Sequence, residues 1–238
     1  MTTRAPRPSL RLRRLLAVGL ALPLLAGAGV CGDVLYDISQ RALILDPVER
    51  VRFTSDSGAV EVFAFDRTAI NLLYYLRGSE HDIGAVGYEV AAPELRAFIR
   101  CDDPDGFCAA DFNVEVPLGT EIVAETMNGG VKLTGVDADV DAVVAGGDFV
   151  GVGLRCPTLA VEVEEGDVVV DMRAPPDSAR VSVGAGAVDL TLPAGSYRCE
   201  LRASDGAVTI TDIVCDPAAA RLVAIDVTTG DIRLRAAP

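Results

Sequence analysis

The C-terminal half of this 238-residue chain alternates apolar and polar positions with period two, and the alternation changes phase at regularly spaced glycines. Upstream of Gly166, Gly186, Gly206 and Gly230, apolar residues stand at offsets −7, −5 and −3: Leu159, Val161 and Val163; Ala179, Val181 and Val183; Cys199, Leu201 and Ala203; Val223, Ile225 and Val227. Downstream they stand at offsets +2 and +4, as in Val168 and Val170, or Val188 and Leu190. Period two marks a strand with one buried face. A slip of one residue turns every side chain to the opposite face. The phase change therefore predicts a corner at each glycine, where positive φ meets no Cβ clash. The phrase recurs at Gly129, Gly147, Gly166, Gly186, Gly206 and Gly230, at intervals of 18, 19, 20, 20 and 24 residues. Such self-similarity predicts an all-β, parallel β-solenoid of about 20 residues per turn, each unit two short strands stacked on its neighbours. An antiparallel sandwich also alternates, but has no reason to hold one phrase at near-constant spacing. One unit departs from the pattern, with Gly151 where a large apolar residue is expected.

The N-terminal half is less regular. Val51 to Val62, centred on Gly58, repeats the phrase once more. No second unit is evident between Gly58 and Gly129. Ile70–Leu76, Val86–Val90, Leu95–Ile99 and Phe112–Pro117 read as strands; Tyr74 and Tyr75 favour strand over helix in the first. Residues 66–117 are expected to form a partly antiparallel elaboration that hides the open strand edges of the first turns. The expected organisation is residues 1–28 as a leader, 29–48 as a spacer, 49–117 as an N-terminal β region with a cysteine hairpin, and 118–238 as solenoid repeats.

The leader rests on five arginines, from Arg4 to Arg14, followed by an apolar run from Leu15 to Val30 broken by Pro23. That run is short for a membrane span and fits a signal peptide, with cleavage expected after Ala28. Lipidation at Cys31, or retention of the segment as an anchor, are the rival readings. The expected location is therefore periplasmic, cell-surface or extracellular. The net charge is −14; without residues 1–28, 16 basic residues face 35 acidic ones. A surface so acidic repels nucleic acid and anionic lipid. Any membrane contact is expected through an anchor or lipid at the N-terminus. Export permits disulfides. Cys101 and Cys108 bracket a Pro104-Asp105-Gly106 turn signal and are expected to pair. Cys199 and Cys215 can pair if the connection between them folds back, and the partner of Cys156 is open.

The ordered combination of Phe112-Asn113-Val114-Glu115-Val116-Pro117-Leu118-Gly119-Thr120, Glu125-Thr126-Met127-Asn128-Gly129-Gly130-Val131 and the recurrent Gly-Asp-Val or Gly-Ala-Val phrases resembles the bacterial putative-adhesin family of DUF4097 type. The resemblance covers residues 50–236. It implies a β-solenoid exported or held at the membrane, adhesin-like by analogy of fold, with some relatives tied to envelope-stress signalling. It carries no catalytic residues onto this chain.

Chemistry-bearing patterns are sparse. His81 is the only histidine and stands in a polar segment, so no nucleophile–histidine pairing can be built. Asp102, Asp103, Asp105 and Asp111 offer oxygen ligands, but not at an EF-hand spacing. At offset +5 the outward column reads Thr134, Val152, Asp171, Thr191, Thr211 and Arg235; Asp171 and Arg235 are expected three units apart, too far to share a site. No cofactor and no metal is expected. The reading is a non-catalytic binding or structural module at the cell envelope, its partner an envelope glycan or protein. A stress-signalling accessory is the alternative, and a carbohydrate-active β-helix enzyme the third.

Overall fold

A computed structural model describes residues 35–79, 81–103 and 106–237. The expected leader, residues 1–28, and Cys31 lie outside the described residues. Among the described residues the fold is all-β, with no helix, and the strands form two ten-stranded sheets, mostly parallel.

The chain passes from one sheet to the other at each corner. At the N-terminal end are β1 (Leu35–Ile44), β2 (Arg50–Ser57), β3 (Val60–Phe65), β4 (Ile70–Ser79), β5 (Ile83–Ala91), β6 (Glu94–Cys101) and β7 (Cys108–Pro117). The regular repeats follow as β8 (Glu121–Asn128) with β9 (Val131–Thr134), β10 (Val140–Gly146) with β11 (Phe149–Leu154), β12 (Thr158–Glu165) with β13 (Val168–Met172), and β14 (Ser178–Ala185) with β15 (Val188–Leu192). The last two are β16 (Ser196–Asp205) with β17 (Val208–Thr211), and β19 (Leu222–Thr229) with β20 (Ile232–Ala236), separated by the two-residue β18 (Val214–Cys215). Sheet I runs β1-β4-β7-β3-β9-β11-β13-β15-β20-β17, and sheet II runs β18-β16-β19-β14-β12-β10-β8-β2-β6-β5. The apolar columns pair in register: Val140 lies beside Leu159, and Val168 beside Val188. Leu159, Val163, Val168, Val170 and Met172 of one repeat are each at most 1% exposed. Where Gly151 leaves a gap, Leu154 fills it: a Cβ on Gly151 would lie 2.6 Å from Leu154 Cδ1.

The corner glycines stack directly on one another. Gly58, Gly129, Gly147, Gly166, Gly186 and Gly230 have positive φ. A Cβ on Gly129 would stand 2.0 Å from the Gly58 carbonyl oxygen, and one on Gly206 1.9 Å from that of Gly230. Beside this column runs a ladder of aspartates. The Asp148 carboxylate accepts from the Asp167 N–H at 2.9 Å, that of Asp167 from Ala187 at 2.8 Å, and that of Asp231 from Ala207 at 3.0 Å. The Gly-Asp phrase thus supplies both the corner and an acceptor for an amide of the next layer.

The layers do not follow chain order at either end. β19 and β20 lie between β14/β15 and β16/β17, so the final repeat is inserted beneath the one before it. At the other end β6 and β7 pair with β2 and β3 on the side away from β8 and β9. Residues 94–117 are therefore a further parallel repeat, and not only the antiparallel elaboration expected there. The expected cysteine hairpin is likewise corrected. Cys101 and Cys108 are bonded, with Cα atoms 5.8 Å apart, but the loop crosses from sheet II to sheet I and stands where other repeats have a glycine corner. Residues 35–44, expected in a spacer, form β1, which pairs antiparallel with β4 because Ile44 and Ala42 continue the inward columns of Ile70 and Leu72. The antiparallel strands are β1, β4 and β5. The core widens at this end around Phe112, whose ring centroid is 6.0 Å from those of Phe53 and Tyr74.

Candidate functional site

A groove of about 600 Å³ lies on the outer face of sheet II, crossing β10, β12, β14, β19 and β16. Its floor is low because small residues stand among the outward side chains: Ala160, Ser182 and Ala224. Its walls are charged, with Asp141, Glu162, Asp226 and Glu200 against Arg180 and Arg202. These residues occupy offsets −6 and −4 from their corner glycines, the outward parity that follows from the apolar residues at −7, −5 and −3. Among the described residues Asp141, Glu162 and Asp226 make no ion pair. Arg180 donates to the Ser178 hydroxyl at 2.6 Å, and Glu200 pairs with Arg198 at 3.4 Å.

Farther along the same face the charges neutralise one another. Arg50 meets Glu121 at 2.8 Å, Arg52 meets Glu125 at 3.2 Å, and Glu94 lies among Arg96, Arg52 and Arg50. The hydrogen bond from Arg96, above all, holds the Glu94 carboxyl below the usual carboxylate range. One sheet face thus has two regimes, a self-paired patch toward the N-terminal end and a groove with unpaired acids.

Sheet I presents the outward column singled out from the sequence. Thr134, Val152, Asp171, Thr191, Arg235 and Thr211 lie on successive strands in that order. Arg235 is two strands from Asp171, not three, because β20 inserts beside β15. They still form no site: Arg235 binds Thr191 at 2.9 Å and Asp189 at 3.0 Å, while Asp171 pairs with Arg173 at 3.1 Å. Toward the N-terminal end a polar chain runs along this face. Arg41 donates to Asn71 at 3.0 Å, and Asn71 to Glu115 at 2.9 Å, with Arg67 on the same carboxylate. The Asn71 hydrogen bond is the chief cause that lowers the Glu115 pKa; burial opposes it and Arg67 adds to it. Arg67 also lies 5.0 Å above the Phe65 ring.

The remaining candidates fall apart in space. Asp111 sits on β7, where it accepts from the Ala59 N–H at 2.9 Å and from Arg77, and so is not free to join Asp102 and Asp103. Asp105 lies outside the described residues. His81 stands in an exposed turn. Among the described residues no group of three acids, cysteines or histidines is placed to hold a metal. Cys199 and Cys215 are bonded, with Cα atoms 5.4 Å apart, so the 212–221 connection does fold back. Cys156 is a free thiol, 1% exposed, whose pKa burial pushes up to about 12. Sequence reading missed the groove. Its signal was the alternation of alanine or serine with a charge at the outward positions, visible only once the strand order is known.

No family profile matches the chain, and no curated protein matches it. Solved structures with a similar arrangement include a putative cell adhesion protein from Clostridium sporogenes, 11% identical over 85% of this chain and 100% of that one, with a TM-score of 0.49. A putative adhesin from Bacteroides fragilis is 12% identical over 85% of this chain and 97% of that one, with a TM-score of 0.41. A putative lipid binding protein from Parabacteroides distasonis is 12% identical over 84% of this chain and 97% of that one, with a TM-score of 0.40. Likeness at this level bears on neither the ligand nor the activity of this chain.

Proposed function

We propose that the two sheets form a β-solenoid that serves as an exported, non-catalytic binding module at the bacterial cell envelope. The observation that carries this reading is the groove across sheet II, with Asp141, Glu162 and Asp226 unpaired on a face whose charges toward the N-terminal end pair with one another. A shallow, elongated surface with exposed charges suits recognition of an extended ligand, since several contacts can form along the stack at once. Export is supported by the arginine-rich and apolar leader pattern and by two disulfides, which persist in oxidising compartments. The resemblance to the adhesin-type family belongs to the same reading.

The test is retention. The full chain, immobilised, is challenged with envelope fractions and with defined glycans and peptides at low and moderate salt. Selective retention that falls with rising salt is the expected result, because the unpaired groups are exposed carboxylates and arginines. Retention of nothing at either salt overturns the binding reading.

A further inference from the structure

The charges of the groove have a period of their own. β10, β12, β14 and β19 lie side by side in that order, and the charged residue alternates between two lanes. Asp141 stands in the first lane, Glu162 in the second, Arg180 in the first and Asp226 in the second. Small residues take the alternate places, Ala160 beside Asp141 and Arg180, and Ser182 between Glu162 and Asp226. From β10 to β19 a charge recurs within each lane at every second strand, about 9.6 Å for strands some 4.8 Å apart, and Arg202 of β16 then stands directly beside Asp226 in the second lane. The second lane therefore holds two carboxylates, Glu162 and Asp226, at that separation, each without an ion pair among the described residues.

That repeat selects among extended ligands. A β-strand returns a side chain to the same side every two residues, about 6.6 Å, and so falls out of step with the carboxylates. A polyproline II chain returns every third residue, about 9.3 Å, and stays in step. Its backbone carbonyls are free of internal hydrogen bonds, so the guanidinium of Arg180, one lane over, has an acceptor within the ligand. The same guanidinium repels a cation placed one strand too soon, which fixes the register. No aromatic residue lines the groove, so a neutral sugar ring has no ring face to stack on.

We infer that the groove takes a polyproline II polypeptide with lysine or arginine at every third position, laid across the strands with successive cations at Glu162 and Asp226. The inference rests on the binding-module reading and names its ligand class.

The test uses the full chain and twelve-residue synthetic peptides, with binding read by fluorescence anisotropy at low and high salt. The probes are four Pro-Pro-Lys units, a peptide of the same composition with its lysines in one block, four Pro-Pro-Glu units, and a chitosan oligomer. The evenly spaced peptide is expected to bind best, with binding weakened by salt. The double variant Glu162→Lys/Asp226→Lys is expected to weaken it about tenfold or more, and Asp171→Lys, on sheet I, to leave it unchanged. Equal binding of the blocked and evenly spaced peptides overturns the inference, as does an unchanged affinity in the double variant. Binding of chitosan alone, or of the glutamate peptide, overturns it while leaving the binding-module reading in place. Retention of neither probes nor envelope material removes both.

Discussion

Gly186→Ala isolates the packing of the corner column. At this residue φ is +146°, and an added Cβ would stand 2.0 Å from the Gly166 carbonyl oxygen and 2.6 Å from its carbon. The obstacle is backbone, and it is tethered. The Gly166 N–H donates to Ala185 at 2.9 Å and the Gly186 N–H to Thr229 at 2.9 Å, so neither layer can recoil without breaking the ladder. Holding a non-glycine residue at positive φ costs about 1–2 kcal/mol. Forcing a methyl into occupied space adds about 1–3 kcal/mol. The expected loss is about 2–5 kcal/mol, a large share of the roughly 5–15 kcal/mol that stabilises a typical domain. Gly119→Ala is the matched control, because φ there is +80° but nothing lies within 4 Å of the added Cβ. It should show only the conformational part, about 1–2 kcal/mol. Urea unfolding followed by far-UV circular dichroism gives both losses from the midpoint and slope. Equal losses at the two positions would refute the argument that stacked carbonyls exclude a side chain from the corner.

Three further outcomes are expected. Replacing Cys199 and Cys215 by serine should lower stability by about 2–4 kcal/mol in denaturant unfolding, since the bond closes a loop with a sequence separation of 16; an unchanged midpoint would show that the terminal layer is held by its ladder alone. Cys156, buried with its pKa pushed up to about 12, should resist alkylation at pH 8 in the native chain and react at once in denaturant, as mass spectrometry would record; rapid native labelling would contradict its burial. Because the Glu115 pKa is lowered in the folded chain, its network contributes stability in full above the unfolded carboxylate pKa of about 4.3, and that contribution is lost as pH falls through the lower folded value. Glu115→Gln should therefore lower stability at pH 7 and flatten the acid limb of the stability profile, and a variant that keeps the parental acid limb would count against the network.

The strand content of this chain was readable because each repeat states its own geometry locally. Val161, Val163, Val168 and Val170 declare two buried faces and the corner between them without reference to any other repeat. The neighbour of each repeat is not a local property. The repeats around Gly206 and Gly230 carry interchangeable inward columns, so either could stack on the Gly186 layer. The one hint was the longer interval of 24 residues, which lengthens the connection enough to let the last repeat reach back. The repeat at residues 94–117 was hidden for a different reason, since a disulfide loop replaces the glycine by which the others were recognised. The groove depends on strand order as well. Ser182 and Asp226 are adjacent only because β19 pairs with β14, and so its spacing of charges could not be seen along the chain.

The inserted repeats at both ends alter how such a stack can come undone. In a simple array the first and last repeats in sequence are also the outermost, and loss of structure begins from a chain terminus. Here β2/β3 and β19/β20 are each clamped between two others; the outermost strands are β17 and β18 at one end, and β5 with β1, the first strand described, at the other. Clipping residues 222–237 would not shorten the molecule by one rung. It would pull a rung from the middle and leave β16/β17 facing β14/β15 across a gap, so the chain guards its own tail against gradual trimming.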